Sequence, residues 1–379
     1  MKIVHISDCF LPRLGGIEIQ VAELTRQQKE HGHQVSVITA TPNRSRTAPD
    51  HPADVRRIVA PLPWELPVHP RAGHELRRAL EELRPDVVHI HVGVVSPFAW
   101  SGVRESVRLG LPAVVTVHSM WDPVTQGIYR TLDRLVGWRA WPMVGTTVST
   151  AAAVPIRAVA GSGVDIGVVG NGIDPAGWRL SSRARTGGED VVHAVAVGRL
   201  APRKRPIALL RLLAAARRHL PPGVQLRATI VGDGPARPAM ERHIQRHGLG
   251  GWVRLAGRLD RAEIQRVLGT ADLFVAPAIK ESFGIAALEA RTAGVPIVAY
   301  TRSGIADFVS SGVEGLLADT ERDLVDAIVR LAGDAPLRHR IAAYNRATEP
   351  AECTWPATLK GFDEQYDAAR ERVGLLPVD

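Results

Sequence analysis

Short β-branched runs recur along this chain, each followed by a stretch of helical periodicity. That alternation calls for parallel strands joined by helical crossovers, with helices covering both faces of each sheet. In the first half the strand runs fall at 2–7, 35–39, 55–60, 86–91, 113–118, 143–149 and 166–173, with helices over 17–31, 71–84, 97–109, 124–139 and 150–160. In the second half they fall at 191–198, 226–234, 252–257, 273–278, 296–300 and 315–318. The polar, Gly-containing segment 180–190 breaks the alternation and reads as a linker. The pattern predicts two α/β domains with doubly wound, Rossmann-like sheets, over about 1–179 and 190–355. In such sheets ligands bind outside the carboxyl ends of the strands, so two sheets facing each other would line a cleft.

Composition narrows the function. At 379 residues, 45% hydrophobic and 23% charged, each half is long enough to bury its own core. Cys9 and Cys353 lie far apart with no metal or disulfide spacing, which fits a cytoplasmic, reducing compartment. The N-terminus MKIVHISDCF reads as a strand rather than a signal peptide. The uncharged stretch 140–156 is interrupted by Pro142 and Pro155 and is rich in small residues, so no membrane span is expected. The net charge is +8, yet only five of the 47 basic residues are lysine and aromatics make up only 5%. No basic run interleaves with aromatics, which argues against nucleic acid as a partner. A basic surface could still draw the protein to the headgroups of an anionic membrane. Helix 71–84, which carries arginines beside Glu75, Glu81 and Glu82, is the expected surface.

Two glutamates, Glu281 and Glu289, stand in KESFGIAALEA at 280–290. The segment reads as strand, Gly-containing turn, helix start, with Glu281 at the mouth of the turn and Glu289 about two turns into the helix. A helix N-terminus attracts anions, and a carboxylate beside it accepts sugar hydroxyls. One small site could then hold a phosphate and a polyol together, as a nucleotide-sugar requires. Standing alone, two such acids would be solvated surface. In VGRLAPRKRP (197–206), Arg199 and Lys204 follow a buried strand and suit a diphosphate, against the simpler reading of a solvated basic turn. VGDGP (231–235) is a tight turn with a structural role. Gly15 and Gly16 open a helix whose backbone can approach a phosphate closely, and the dinucleotide pattern GxGxxG is missing. His118 ends a strand and is a site candidate, with His89 and His91 as runners-up.

These motifs, in this order over nearly the whole chain, resemble those of the retaining glycosyltransferases of family 4, which have the two-domain GT-B fold. The resemblance implies transfer of a hexosyl group from a nucleoside diphosphate sugar to an acceptor hydroxyl, lipid-linked, on a glycan or on a small metabolite. It implies that Glu281 holds the donor sugar, helped by the backbone of Phe283 and Gly284, and that Glu289 binds the ribose. Arg199, Lys204, Gly16 and the N–H groups near Ile285 would hold the leaving diphosphate, and His118 would lie beside the sugar. Gly257 and Arg258 would approach the base, NGID (171–174) would form a turn at the domain end, and a Trp355-led helix over about 356–379 would cross back to the first domain. No carboxylate cluster of DxD type accompanies the phosphate motifs, so neither a metal nor another cofactor is expected. SGIAD (303–307) departs from the family's Gly-Gly-x-x-Glu, which bears on loop shape and substrate preference. A nucleotide-sugar epimerase of the same fold is the main alternative. A nicotinamide dehydrogenase is disfavoured by the missing glycine pattern, and a noncatalytic sugar-binding module would bind the donor without turnover.

Overall fold

The computed structural model describes residues 1–13, 15–43, 53–60, 69–180 and 190–374. The chain divides into two compact units, Met1–Gly172 with Trp355–Asp379, and Ile173–Thr354.

In the first unit, β1 (Lys2–Ser7), β2 (Gln34–Thr39), β3 (Asp54–Arg57), β4 (Val87–Val92), β5 (Ala113–Val117), β6 (Val144–Thr147) and β7 (Ile166–Val168) form one sheet in the order β3-β2-β1-β4-β5-β6-β7. Every pairing is parallel. All six residues of β4 are buried, as a central strand covered on both faces requires. The crossovers carry α1 (Gly16–Glu30), α2 (Ala72–Leu83), α3 (Pro97–Arg108), α4 (Pro123–Val136) and α5 (Thr150–Ala160). Their ends follow the local chemistry. Asp122 caps α4 by accepting the Thr125 N–H, and Gly137 closes it in the left-handed region. Ser149 caps α5 through the Ala152 N–H.

The second unit has β8 (Val191–Val197), β9 (Gln225–Val231), β10 (Val253–Gly257), β11 (Leu273–Val275), β12 (Ile297–Tyr300) and β13 (Gly315–Ala318), in the order β10-β9-β8-β11-β12-β13. It is again wholly parallel. Its helices are α6 (Pro206–Arg218), α7 (Arg237–Arg246), α8 (Arg261–Leu268), α9 (Ile285–Thr292), α10 (Glu321–Gly333) and α11 (Ala335–Ala347).

The last helix, α12 (Trp355–Arg372), belongs to the first unit. Trp355, Leu359, Phe362 and Tyr366 are buried against Ile3, Val87, Val114 and Val144 on one face of the sheet. Each large apolar side chain so buried contributes about 1.5–3 kcal/mol before entropy. Trp355 also packs on Gly172, where an added Cβ would lie 2.4 Å from the indole.

The division falls after Gly172, not after residue 179 as the sequence suggested. Ile173–Leu180 joins the second unit because Trp178 packs beneath the Arg261 guanidinium and Arg179 pairs with Glu349. The strand expected over 166–173 stops at Val168. Ile173 instead donates to the Cys353 carbonyl at 2.7 Å, so NGID is tied to the returning chain. Residues 181–189 of the proposed linker and 375–379 of the proposed tail helix lie outside the described residues.

Candidate active site

Strand order locates the candidate residues. In the second sheet β8 and β11 are neighbours, and the chain leaves them for different flanks of the sheet, toward β9 and β12. This is the switch point at which doubly wound sheets open a crevice. The loop after β8 carries Arg199 and Lys204, and the loop after β11 carries Glu281. Lys204 ends a 3-10 turn, Pro202–Lys204, just before α6, and its Nζ lies 2.5 Å from Glu281 Oε2. Two side chains 77 residues apart are thus joined by the topology.

The surrounding backbone holds this pair in place. Arg199 stands exposed at the end of β8. Its loop is braced by the Gly-Asp-Gly-Pro turn, since Leu200 donates to the Asp233 carbonyl at 2.9 Å. A Cβ at Gly232 would come within 2.0 Å of the Gly198 carbonyl oxygen, so this turn needs glycine for close backbone approach. Gly284 caps α9 in the left-handed region, with φ of 95°, and a Cβ there would strike Ile305 at 2.5 Å. Ile305 belongs to the departing SGIAD segment, which forms a 3-10 turn at Gly304–Asp307. Gly304 donates to the Glu281 carbonyl at 2.8 Å, so this turn fixes Glu281. Phe283 is buried against Phe308, and Ile285 is the first residue of α9, where helix N–H groups are unpaired.

Glu289 lies just past the first turn of α9 rather than two turns in, because the helix begins only after Gly284. Burial pushes its carboxyl up to about 8, and the positive charge of Arg261 opposes that shift. Arg261 is a residue that sequence reading missed. Its signal was present in RLDRAEI, three positions beyond Arg258, but only the fold shows that it acts on Glu289. Arg258 itself is exposed directly after β10, beyond Gly257, whose carbonyl accepts from Gly232 at 2.7 Å.

In the first unit Gly16 is the first residue of α1, which follows β1. The Glu18 carboxylate folds back over this helix start and pairs with Arg13 at 3.3 Å. A Cβ on Gly15 would lie 2.3 Å from it. Asp8, at the end of β1, accepts from the Phe98 N–H at the start of α3 and has its carboxyl raised to about 6 by burial.

His118 follows β5, half-buried, with its imidazole held down to about 4 by desolvation. It is not isolated. His118 Nε2 meets His91 Nδ1 at 2.9 Å, and His91 Nε2 meets His5 Nδ1 at 2.9 Å. The His5 and His91 rings are nearly parallel, 6° apart. His5, His89 and His91 stand close enough to share an ion. Every ring nitrogen of the three nevertheless already faces a protein partner: His89 uses Tyr366 and Thr116, and His5 uses Gln28 and His91. The group is therefore a hydrogen-bonded network rather than a set of open ligands. Of the two runners-up, His91 is a direct partner of His118, and His89 lies deeper, against Phe362.

Each unit thus gathers its candidates at the carboxyl ends of its own sheet, and comparison with known proteins bears on what such sheets do. The model described as "Glycosyl transferases group 1" matches residues 183–348, and the one described as "Glycosyltransferase Family 4" matches 14–177. The glycogen synthase of Mycobacterium tuberculosis is 30% identical, covering 98% of this chain and 95% of its own length. The D-inositol 3-phosphate glycosyltransferase of Nocardioides sp. is also 30% identical, over 95% of this chain and 86% of its own. Among solved structures, the Anabaena protein Alr3699/HepE in complex with UDP and glucose superposes with a TM-score of 0.77 at 19% identity, covering 97% of this chain and 99% of that one. The chain belongs to the family 4 glycosyltransferases. Its fold is accordingly GT-B, two parallel Rossmann-like α/β sheets in one chain.

Proposed function

We propose that this glycosyltransferase moves a hexosyl group from a nucleoside diphosphate sugar to an acceptor hydroxyl, with retention of anomeric configuration and without a metal cofactor. The observation that carries the reading is the Lys204–Glu281 pair at the switch point of the second sheet. A cation and an acid in contact offer one group for a diphosphate and one for sugar hydroxyls, beside the unpaired N–H groups at the start of α9. Charge develops on the departing diphosphate, so Lys204, Arg199 and the N–H groups near Ile285 act by preorganised electrostatics. Glu289 with Arg261 supplies a polar seat for the ribose, and Arg258 approaches the base. Gly16 and His118 are the first unit's own candidates for contact with a donor. The two curated relatives named above act on a glucan and on an inositol phosphate by their names, which supports a hydroxyl acceptor here.

The test is a donor screen by thermal shift, followed by proton NMR of the product formed from the best donor. Retention gives a product with the anomeric coupling of the donor. An inverted product, or isomerisation of the free donor in favour of an epimerase, would overturn the reading. Full activity in excess EDTA is expected, and strict recovery by added Mg²⁺ or Mn²⁺ would contradict metal independence.

The acceptor side includes peripheral contact with an anionic membrane at its cytoplasmic face, through a different helix from the one the sequence suggested. On α2, Leu76 and Leu80 face the core and Arg77 is held by the buried Glu105. On α4, Val124 and Leu135 are 73% and 75% exposed, and Ile128 and Leu132 continue the same stripe, with Arg130 and Arg134 along one edge. An apolar stripe beside arginines suits the headgroup boundary of an anionic bilayer. No helix among the described residues is long and apolar enough to cross a membrane. Co-sedimentation with anionic vesicles that is lost in Leu135→Ser with Val124→Ser supports this contact. Undiminished binding by that variant overturns it.

A further inference from the structure

The histidines behind His118 form part of one continuous hydrogen-bonded chain. From the surface inward it runs His118 Nε2 to His91 Nδ1, His91 Nε2 to His5 Nδ1, and His5 Nε2 to Gln28 Oε1 at 2.7 Å. Gln28 Nε2 then donates to the Tyr366 hydroxyl at 2.7 Å. That hydroxyl meets His89 Nδ1 at 2.8 Å, His89 Nε2 meets the Thr116 hydroxyl at 2.7 Å, and Thr116 meets Thr146 at 2.6 Å. His5, Gln28, His89, His91, Thr116, Thr146 and Tyr366 are all buried. The chain links α1, β1, β4, β5, β6 and α12.

Burial holds His89 and His91 well below the ordinary imidazole range, so the rings are neutral at physiological pH. A neutral imidazole carries one proton, and its two nitrogens therefore play opposite roles. Each link in the row needs one hydrogen and no more. Through the three imidazoles His5, His91 and His118, fixing the donor at one link fixes it at the others. With the Gln28 carbonyl toward His5, His5 donates from Nε2, so its Nδ1 accepts from His91 Nε2–H. His91 Nδ1 in turn accepts from His118 Nε2–H. His118 Nδ1 is left bare, and it takes no protein partner among the described residues. On the other side the Gln28 amide nitrogen donates to the Tyr366 hydroxyl, which also meets His89 Nδ1. Turning the Gln28 amide over would reverse the donor at each imidazole link and put the proton on His118 Nδ1.

We propose that Gln28 and Tyr366 are positioning residues that set, through His5 and His91, which nitrogen of His118 carries its proton, and so present His118 Nδ1 as an acceptor for a donor-sugar hydroxyl. The last clause rests on the reading that His118 faces the donor. The cost of a mismatch is that of a lost hydrogen bond in a desolvated site, where the partner of each misdirected group goes unpaired. The relation is the one seen when a second group behind a histidine selects its tautomer.

Nitrogen-15 spectra of histidine-labelled protein, with His118→Asn for assignment, read the tautomers directly. In the wild type His5, His91 and His118 should all be protonated at Nε2. In Gln28→Leu and in the milder Tyr366→Phe, the two His118 nitrogen resonances should move toward each other as the tautomers mix. Gln28→Glu, which keeps an acceptor facing His5, should restore the wild-type pattern. In the Leu variant the donor KM should rise on the order of 10-fold, as for one lost hydrogen bond, with a smaller change in kcat. A His118 ring that is protonated at Nδ1, or whose tautomer is unchanged in a folded Gln28→Leu or Tyr366→Phe protein, overturns the proposal. A tautomer shift with an unchanged KM would leave the relay standing and overturn the donor-facing reading of His118.

Discussion

Lys204 Nζ and Glu281 Oε2 are in contact at 2.5 Å. The pair joins the loop after β8 to the loop after β11, so each side chain holds the other at the carboxyl end of the sheet.

Lys204→Ala and Glu281→Ala should each reduce turnover on the order of 10²–10³-fold, as for loss of a charge-stabilising group. Lys204 is 43% exposed, so the pair contributes no more than about 1 kcal/mol to stability. Initial rates and thermal melts measured together should therefore diverge, with activity falling and the melting temperature nearly unchanged. A folded variant with a near-native rate would remove that residue from the site.

Gly284→Ala should destabilise the second unit by about 1–3 kcal/mol, the range for a non-glycine residue held in a sparsely allowed conformation. The added methyl would also meet Ile305 and shift the turn that carries Glu281. Denaturant melts and activity should both suffer, unlike the Lys204 case. An unchanged midpoint would show that the turn relaxes freely.

Glu289 has a carboxyl raised from 4.5 to about 8. Its folded value lies above its unfolded one, so its contribution to stability is full below pH 4.5 and is lost as pH rises through 8. Glu289→Gln removes that titration. The variant should gain in melting temperature relative to wild type as pH increases from 5 to 8. A parallel pair of pH curves would contradict the buried-carboxyl assignment.

The first unit should show the opposite slope in acid. His118 is lowered from 6.5 to about 4, and His89 and His91 lie well below the ordinary value. A depressed folded value means stability present above pH 6.5 and lost as pH falls toward 4. His118→Gln should flatten the loss in that window. Calorimetry across pH 7 to 4 checks it, and equal slopes for variant and wild type would sink the account.

Much of the fold was legible because β-branched runs and helix caps are local signals. The Gly-containing turn read before the helix that carries Glu289 is in the structure the left-handed Gly284 cap of α9. The boundary at Gly172 was less visible, because it depends on Trp178 meeting Arg261 across a long sequence interval. The motifs after β8 and β11 pointed to Lys204 and Glu281 one by one, but their direct contact comes from strand order, which no single segment encodes. The same limit hid the links behind His118. His5, Gln28 and Tyr366 look like ordinary core residues until α12 is laid on the sheet.

That helix also has a consequence for synthesis. The first domain is interrupted at Gly172 and resumes only at Trp355. A ribosome therefore emits the entire second domain before the first can close its core over Trp355, Phe362 and Tyr366. A chain cut short before α12 would retain Lys204, Glu281 and the sheet around them, yet strip from Val87, Val114 and Val144 of the other sheet the cover of Leu359, Phe362 and Tyr366, and leave the proton on His118 unassigned. Competence for transfer, on this reading, arrives with the last few turns of chain rather than accumulating along it.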